Sequence, residues 1–332
     1  MRASDGVPRG YVATVDSTWD PSAWVRSVPS VAAVSHLVED EYGVPVTQAV
    51  LVRSFNNDVY RVQAGGRSYA LKVYGVGRWA ADEVRWEQQL VRHLANSGMP
   101  VAADVALSDG DTVGVLDAPE GRRPFAMAEW VPGAKPQAPY TDGLYRDVGG
   151  TLARLHAAVD SFCSSHPRRT VRTGAEVREV SDVLDPGSFL QRLVQRTGAE
   201  AQGQLTRLSE QGLRWGIRHG DPTLDNLHVS DSELYFYDFD LAGPGWQVGD
   251  LTGALSTEFA DAFLAGYTAV RRLPPVELEA LPWLRIMEII ENLHFHLIRK
   301  PAMQGTASLA EGWVERGFES LAAAASQLRL II

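Results

Sequence analysis

Two kinds of hydrophobic spacing divide this chain. Up to about residue 131, short apolar runs alternate with polar positions, the period of two that a half-buried strand requires. Val59-Tyr-Arg-Val62 and Ser68-Tyr-Ala-Leu-Lys-Val-Tyr74 read as paired strands, with Gly65-Gly66 between them as a hairpin turn. Gln48 to Val52, Val113 to Leu116 and Phe125 to Val131 read as three more. A helix is expected after Pro29, beginning at Ser30. Another is expected over Ala81 to Ala95, ended by Gly98 and Pro100. Residues 1 to about 28, with Pro8 and Pro21, read as an irregular arm. Past Pro132-Gly133 the spacing lengthens to three and four. Asp142 to Val159 places Val148, Leu152 and Leu155 on one helical face. Phe189 to Thr197 and Ala201 to Gln211 predict two helices. Asp250 to Val270, Pro275 to Lys300 and Ala307 to Leu328 predict helix almost to the end. Short strands are expected near Trp215 to Arg218, Leu227 to Val229 and Leu234 to Tyr237. The pattern predicts an α+β chain in two lobes. Residues 1–131 form the arm and a small sheet-bearing lobe, and residues 132–332 a larger, mainly helical one.

Composition narrows the possibilities. A chain of 332 residues is long for one core and suits two lobes. No apolar run approaches the roughly 18 residues of a spanning helix, and Met1 to Trp19 lacks a signal-peptide pattern. Cys163 is the only cysteine, which excludes an intramolecular disulfide and a cysteine-rich metal site. A cytoplasmic protein with no membrane partner is expected. The net charge of −10 argues against a nucleic-acid partner, which needs a basic footprint. That charge reads as a solubility feature more than as a preference for cations.

The densest chemistry lies in Ile217-Arg-His-Gly-Asp-Pro-Thr-Leu-Asp-Asn226, followed by Tyr237-Asp-Phe-Asp240. An acid, an amide and a second acid in this order suit phosphoryl transfer. Asp221 could receive the proton of an attacking hydroxyl. Asn226 and Asp238 could hold Mg²⁺, which prefers hard oxygen ligands. Gly220 permits a special backbone angle beside the acid. His219 could be a nucleophile or a metal ligand but reads better as a packed histidine bracing the loop, and Asp225 could be a spare acid but reads better as a turn cap. In an extended segment Asp238 and Asp240 would point the same way, with Phe239 packed opposite. Asp240 is then a second metal ligand or a brace for Gly243-Pro-Gly-Trp246. Lys72, flanked by apolar residues, could clamp phosphates or snorkel from an edge strand. Asp82, Glu83 and Glu87 compete as its partner. Ser54-Phe-Asn-Asn57 could line a nucleotide loop, but lacks the glycines that let backbone close on phosphates.

In order and spacing, these blocks resemble the aminoglycoside phosphotransferase and homoserine kinase-like family, from about Val50 to about Ala325. The blocks are Ser54-Phe-Asn-Asn-Asp-Val-Tyr60, Ala70-Leu-Lys-Val-Tyr74, Glu87, Gly98-Met-Pro-Val101 and Met127-Ala-Glu-Trp-Val-Pro-Gly133. Gly150-Thr-Leu-Ala-Arg-Leu-His156, His219-Gly-Asp221 to Asn226, and Asp238-Phe-Asp240 complete the set. The resemblance implies a protein-kinase-like bilobal fold with ATP between the lobes, GTP remaining open, and Mg²⁺. It implies that Ser54 and Asn57 lie near the nucleotide and that the backbone around Glu129 and Val131 faces adenine. It further implies that Lys72, paired with Glu87, holds phosphates, that Asp221 is the catalytic acid, and that Asn226 and Asp238 hold the metal. Phe55 and Asn56 depart from glycine, and Pro222 and Thr223 from Leu and His, at positions where many members carry those residues.

Within the family, Arg78-Trp-Ala-Ala-Asp82, Pro100-Val-Ala-Ala103 and Gly243-Pro-Gly-Trp246 leading to Asp250-Leu251 resemble the branch of the bacterial stress-response Ser/Thr kinase. The expectation is therefore ATP- and Mg²⁺-dependent transfer to an alcohol, with a preference for Ser or Thr of a peptide or protein. A small-molecule kinase acting on an antibiotic or a homoserine-like amino alcohol is the alternative. An inactive nucleotide-binding regulator is disfavoured because every polar group the chemistry needs is present. For the acceptor site the candidates are Trp246, Glu288, Glu291, Asn292, His294 and His296, with Asp240 as possible support. Glu288, Glu291 and His294 adjoin on a helix by their spacing of three, although a solvated polar face explains that spacing equally well.

Overall fold

The computed structural model describes residues 25–170, 174–231 and 233–330. Most of the arm expected at 1 to about 28 lies outside the described residues. The chain opens with α1 (Val31–Tyr42), β1 (Val46–Ser54), β2 (Asn57–Ala64), β3 (Arg67–Tyr74), α2 (Ala81–Asn96), β4 (Asp104–Val105), β5 (Gly114–Ala118) and β6 (Gly121–Glu129). Ser30 caps α1 by accepting the Ala33 N–H at 3.2 Å. Gly65 and Gly66 turn β2 into β3, both at positive φ. The strands form one antiparallel sheet in the order β1-β2-β3-β6-β4, with β5 beside β6. Val34 and Val38 of α1 pack on Tyr60, Val62, Leu71, Val73 and Phe125 of that sheet. The apolar face of α2, with Trp86, Leu90 and Leu94, joins a different core, shared with the later helices. This packing fixes α2 against the back of the site.

The second half comprises α3 (Asp142–Val159), α4 (Ala175–Asp182), α5 (Phe189–Glu210), β7 (Trp215–Arg218), β8 (Leu227–Ser230), β9 (Glu233–Phe236), β10 (Gly243–Trp246), α6 (Thr252–Leu255), α7 (Ala260–Val270), α8 (Pro275–His294), α9 (Lys300–Gln304) and α10 (Trp313–Gln327). Two hairpin-like pairs, β8 with β9 and β10 with β7, carry the acid-rich loops. Helices α3 and α7 touch backbone to backbone. A Cβ on Gly149 would lie 2.1 Å from the Phe263 carbonyl oxygen, and one on Gly266 would lie 1.9 Å from that of Arg146.

The structure departs from the expected elements in several places. The helix expected over Ala307 to Leu328 opens as a 3₁₀ turn, Thr306–Glu311, and becomes α10 only at Trp313, where Gly312 at positive φ breaks the run; Gly243–Trp246, not expected as a strand, is β10. The two helices expected over 189–211 are one, α5. Val194, Ala201 and Leu205 lie buried on a common face, and that burial outweighs the roughly 1 kcal/mol that Gly198 costs mid-helix. Gly198 is also where Val177 of α4 packs closest, an approach any side chain would block. The segment 250–270 breaks into a 3₁₀ turn, α6 and α7. The helix expected to run to Lys300 changes to a π turn at Phe295–Arg299. Helix α4 and strand β4 were not expected, being too short for a periodic signal. Among the described residues no helix is long and apolar enough to cross a membrane.

The glycine contacts give opposite expectations in urea denaturation. Gly266→Ala forces α3 and α7 apart and lowers the unfolding free energy by about 2 kcal/mol. Gly203→Ala, where a Cβ meets nothing within 4 Å, raises it by about 0.5–1 kcal/mol.

Candidate active site

Two cavities meet at the loop between β7 and β8. The smaller, about 270 Å³, has apolar walls from Val52, Val59, Ala70, Met127 and Val131, and a charged end with Lys72, Asn226 and Asp238. The larger, about 500 Å³, is lined by Asp221, Glu288, Glu291, Phe55 and Phe295. Asp221 lines the larger cavity and Asn226 the smaller, and the two side chains are hydrogen bonded. Asn226 Nδ2 donates to Asp221 Oδ2 at 2.7 Å and to its carbonyl oxygen at 3.0 Å.

The β7–β8 loop is held from below by Asp250. Its buried carboxylate accepts the N–H of His219 at 2.7 Å and that of Gly220 at 2.9 Å. His156 Nε2 lies 3.1 Å from the same carboxylate, and Tyr267 Oη lies 2.9 Å from His156 Nδ1. Burial alone would raise the Asp250 pKa, but the hydrogen bond and charge of His156 outweigh it and hold the carboxyl down at about 2. Gly220 has φ +86°, and a Cβ there would lie 2.2 Å from the Leu241 carbonyl oxygen, so only glycine fits. His219 is fully buried beside Phe236 and Phe239. Its Nδ1 accepts the Asp221 N–H at 3.3 Å, and burial lowers its pKa, as a neutral bracing histidine requires.

Lys72 reaches from β3 to two acids. Its Nζ lies 2.6 Å from Asp238 Oδ1 and 3.4 Å from Glu87 Oε1 of α2. Burial would lower its pKa, but Asp238 and then Glu87 overcome this and hold it well above the ordinary lysine value. Of the three acids competing at α2, Glu87 is the partner. Asp82 and Glu83 pair with Arg85 and Arg169.

Asp238 and Asp240 do not point the same way, because the segment is not extended. Asp238 sits at φ +61°, ψ +60°, and a 3₁₀ turn starts at Phe239. A non-glycine residue held there costs about 1–3 kcal/mol. That turn sends Asp238 to Lys72 and Asp240 to the other side. There Asp240 accepts from Arg78 Nε at 2.8 Å and Trp79 Nε1 at 2.8 Å. Burial would raise its carboxyl, yet Arg78, Lys72 and Arg168 hold it at about 2. Asp240 is thus a brace within the protein.

A family model described as "Phosphotransferase enzyme family" matches residues 48–283. The chain belongs to the phosphotransferase enzyme family. It is an enzyme of the kinase class. An uncharacterized protein of Deinococcus radiodurans is 35% identical over 284 residues, covering 78% of this chain and 79% of its own. Homoserine kinase of Azorhizobium caulinodans is 26% identical over 279 residues, 77% of this chain and 81% of its own. Among solved structures, amicoumacin kinase hAmiN in complex with AMP-PNP, Ca²⁺ and Ami matches with a TM-score of 0.72 at 20% identity, over 87% of this chain and 92% of that one. The kinase-like fold expected from the sequence is the fold observed.

Not every residue singled out in the sequence of this phosphotransferase reaches the cavities. Ser54 and Asn57 line neither. Ser54 Oγ donates to buried Asp58 at 2.7 Å, and Asn57 Oδ1 accepts the Gly75 N–H at 3.2 Å, so both brace the hairpin. Trp246 lies away from both cavities. It packs edge-on to Trp215 and donates to Ser209 Oγ at 3.0 Å. Glu129 and Val131 line the smaller cavity. Glu288, Glu291, Asn292, His294 and His296 all line the larger. Glu288 accepts from Thr252 Oγ1 at 2.6 Å and Arg285 at 2.9 Å, and His294 lies 2.6 Å from Glu179. Asp250 and Arg168 are among the bracing residues to which the sequence reading gave no role. Asp250 had a signal, as a lone acid ahead of an apolar stretch. Arg168 had none, since Pro167-Arg-Arg169 has no periodicity. Yet Arg168 donates to the carbonyls of Ala242 (2.8 Å), Asp240 (2.7 Å) and Glu83 (3.1 Å), and stacks 3.7 Å over Trp79.

The depressed Asp250 pKa gives a pH dependence with a definite sign. Its stabilisation of about 2 kcal/mol is fully present above the unfolded value near pH 4, and is lost as pH falls through about 2. Asp250→Asn places an NH₂ group against a backbone donor. It is expected to cost about 3 kcal/mol at neutral pH and to flatten the acid limb of a pH series of urea melts.

Proposed function

We propose that this enzyme transfers the γ-phosphate of ATP, with Mg²⁺, to a hydroxyl of a small molecule. The observation that carries the reading is the Asp221–Asn226 hydrogen bond, which joins the two cavities. The smaller cavity suits a nucleotide: apolar walls for adenine and a lysine for phosphates. The larger, on the Asp221 side, suits the acceptor. Residues 1–131 then serve nucleotide binding, and residues 132–332 carry the catalytic loop, metal ligands and acceptor site.

The donor atoms fit a hard divalent cation. Asn226 spends its Nδ2 on Asp221, which leaves Oδ1 for a metal. Lys72 takes Asp238 Oδ1, which leaves Oδ2. One amide and one carboxylate oxygen, completed by phosphates and water, are an ordinary Mg²⁺ set. When bound, the ion would neutralise charge on the transferring phosphoryl group. Asp221 accepts the proton of the attacking hydroxyl and orients it in line. Lys72, steadied by Glu87, holds phosphate oxygens. The Val131 backbone and the Glu129 carbonyl meet adenine, since the Glu129 N–H is taken by Ala103 at 2.8 Å. The homoserine kinase relative and the AMP-PNP-bound amicoumacin kinase support this scheme.

The peptide or protein Ser/Thr acceptor expected from the sequence has no support, and the small-molecule alternative fits better. The homoserine kinase and amicoumacin kinase relatives are named for small molecules, and a cavity of about 500 Å³ is of small-ligand size. The complete polar set disfavours an inactive regulator. An ATP-dependent reaction agrees with a cytoplasmic setting.

Steady-state kinetics with ATP, Mg²⁺ and small amino alcohols tests this. Asp221→Ala is expected to lower kcat by about 10²–10⁴-fold with little change in KM for ATP. Lys72→Ala is expected to raise KM for ATP, and Asp238→Ala to raise the Mg²⁺ requirement. Turnover by Asp221→Ala equal to wild type, or transfer to a Ser/Thr peptide in preference to every small alcohol, contradicts the proposal.

A further inference from the structure

We propose that Phe55 determines acceptor specificity: it roofs the larger cavity and limits acceptors by size. This rests on the reading that the larger cavity receives the acceptor.

The turn between β1 and β2 is only two residues, Phe55-Asn56, closed by the Phe55 N–H donating to the Asn57 carbonyl at 3.0 Å. Both residues line the larger cavity and neither lines the smaller. A turn that served the phosphates alone would line the cavity that holds Lys72 and Asp238. Instead the Phe55 ring stands edge-on to Phe295, with centroids 5.5 Å apart and planes at 65°. Phe295 begins the π turn, a local change of helical register that favours functional placement of side chains.

The contact continues as a row of rings. Phe295 lies edge-on to His296 at 5.0 Å, and His296 stacks on Trp313 at 5.4 Å and 16°. The row therefore runs from the hairpin turn to the start of α10. Two cations flank the Phe55 ring, Arg53 from its own hairpin and Lys300 from α9. Arg53 lies 5.9 Å and Lys300 5.7 Å from its centroid, a distance at which the ring quadrupole attracts positive charge. Phe55 is the link of this row that comes from the sheet, and it meets Phe295 one helical turn beyond Glu291, with all three lining the cavity. Removing its ring opens the cavity and leaves the Lys72 cluster untouched.

The test compares wild type, Phe55→Ala and Phe55→Leu with ATP–Mg²⁺ and a panel of amino alcohols graded in size from homoserine to amicoumacin. Melting curves confirm that each variant is folded. Phe55→Ala is expected to raise the ratio of kcat/KM for large over small acceptors by about tenfold or more, the scale on which apolar pockets discriminate size. KM for ATP stays within about threefold, and Phe55→Leu keeps a ratio near that of wild type. An unchanged ratio in Phe55→Ala, or a rise in KM for ATP at constant ratio, overturns the roof and assigns Phe55 to the nucleotide side. If wild type and both variants bind ATP but phosphorylate no member of the panel, the acceptor reading itself fails, and the roof with it.

Discussion

The carboxylate of Asp250 is withdrawn from water and given three partners: the N–H groups of His219 and Gly220 and the imidazole of His156. An unpaired buried charge is costly, so the loop has one conformation in which that charge is satisfied. That conformation needs positive φ at Gly220, contact with the Leu241 carbonyl, and the His219 ring wedged between Phe236 and Phe239. Asp221 emerges from it aimed at the larger cavity, and Asn226 closes the loop from the other side. The Asp221 carboxylate is thus positioned by a loop whose conformation the buried Asp250 fixes.

The same logic holds the sheet to the helices. Lys72 from β3 meets Asp238 from the loop after β9 and Glu87 from α2. Arg78 and Trp79 meet Asp240, and Arg168 gathers three carbonyls at the same junction. Each buried acid has cationic or N–H partners across the junction. Asp238 keeps a left-handed backbone that its neighbours enforce. Such strain is tolerated where the surroundings over-determine it, which is commonly at functional sites. A phosphate group entering the smaller cavity would meet Lys72 already oriented by Asp238 and Glu87.

Much of this was legible in the residues. Period-two alternation located β2, β3 and β6, and period-three spacing located α3 to its observed ends. The acid–amide–acid spacing brought Asp221, Asn226 and Asp238 to one place. What the sequence hid has physical causes. Alternation cannot tell that Ser54 and Asn57 turn inward to serve buried Asp58 and Gly75 while Phe55 and Asn56 face the cavity, because a two-residue turn inverts the faces. It cannot tell that Asp238 leaves the extended conformation, because that backbone is set by Lys72, 166 residues earlier. Arg168 gave no local signal at all, since its partners are carbonyls from three distant segments. Trp246 was plausible by proximity in sequence to the Asp238 loop, but β10 carries it away from both cavities, against Trp215.

The central claim is a division of labour: nucleotide in the smaller cavity, acceptor in the larger, and Asp221–Asn226 at the boundary. The most direct measurement is a crystal structure with AMP-PNP, Mg²⁺ and a small amino alcohol. Adenine is expected against Val52, Ala70 and Val131, the ion between Asn226 and Asp238, and the acceptor hydroxyl within hydrogen-bond reach of Asp221 beneath Phe55. A nucleotide lodged in the larger cavity, or an ion held by Glu288 and Glu291, would contradict it.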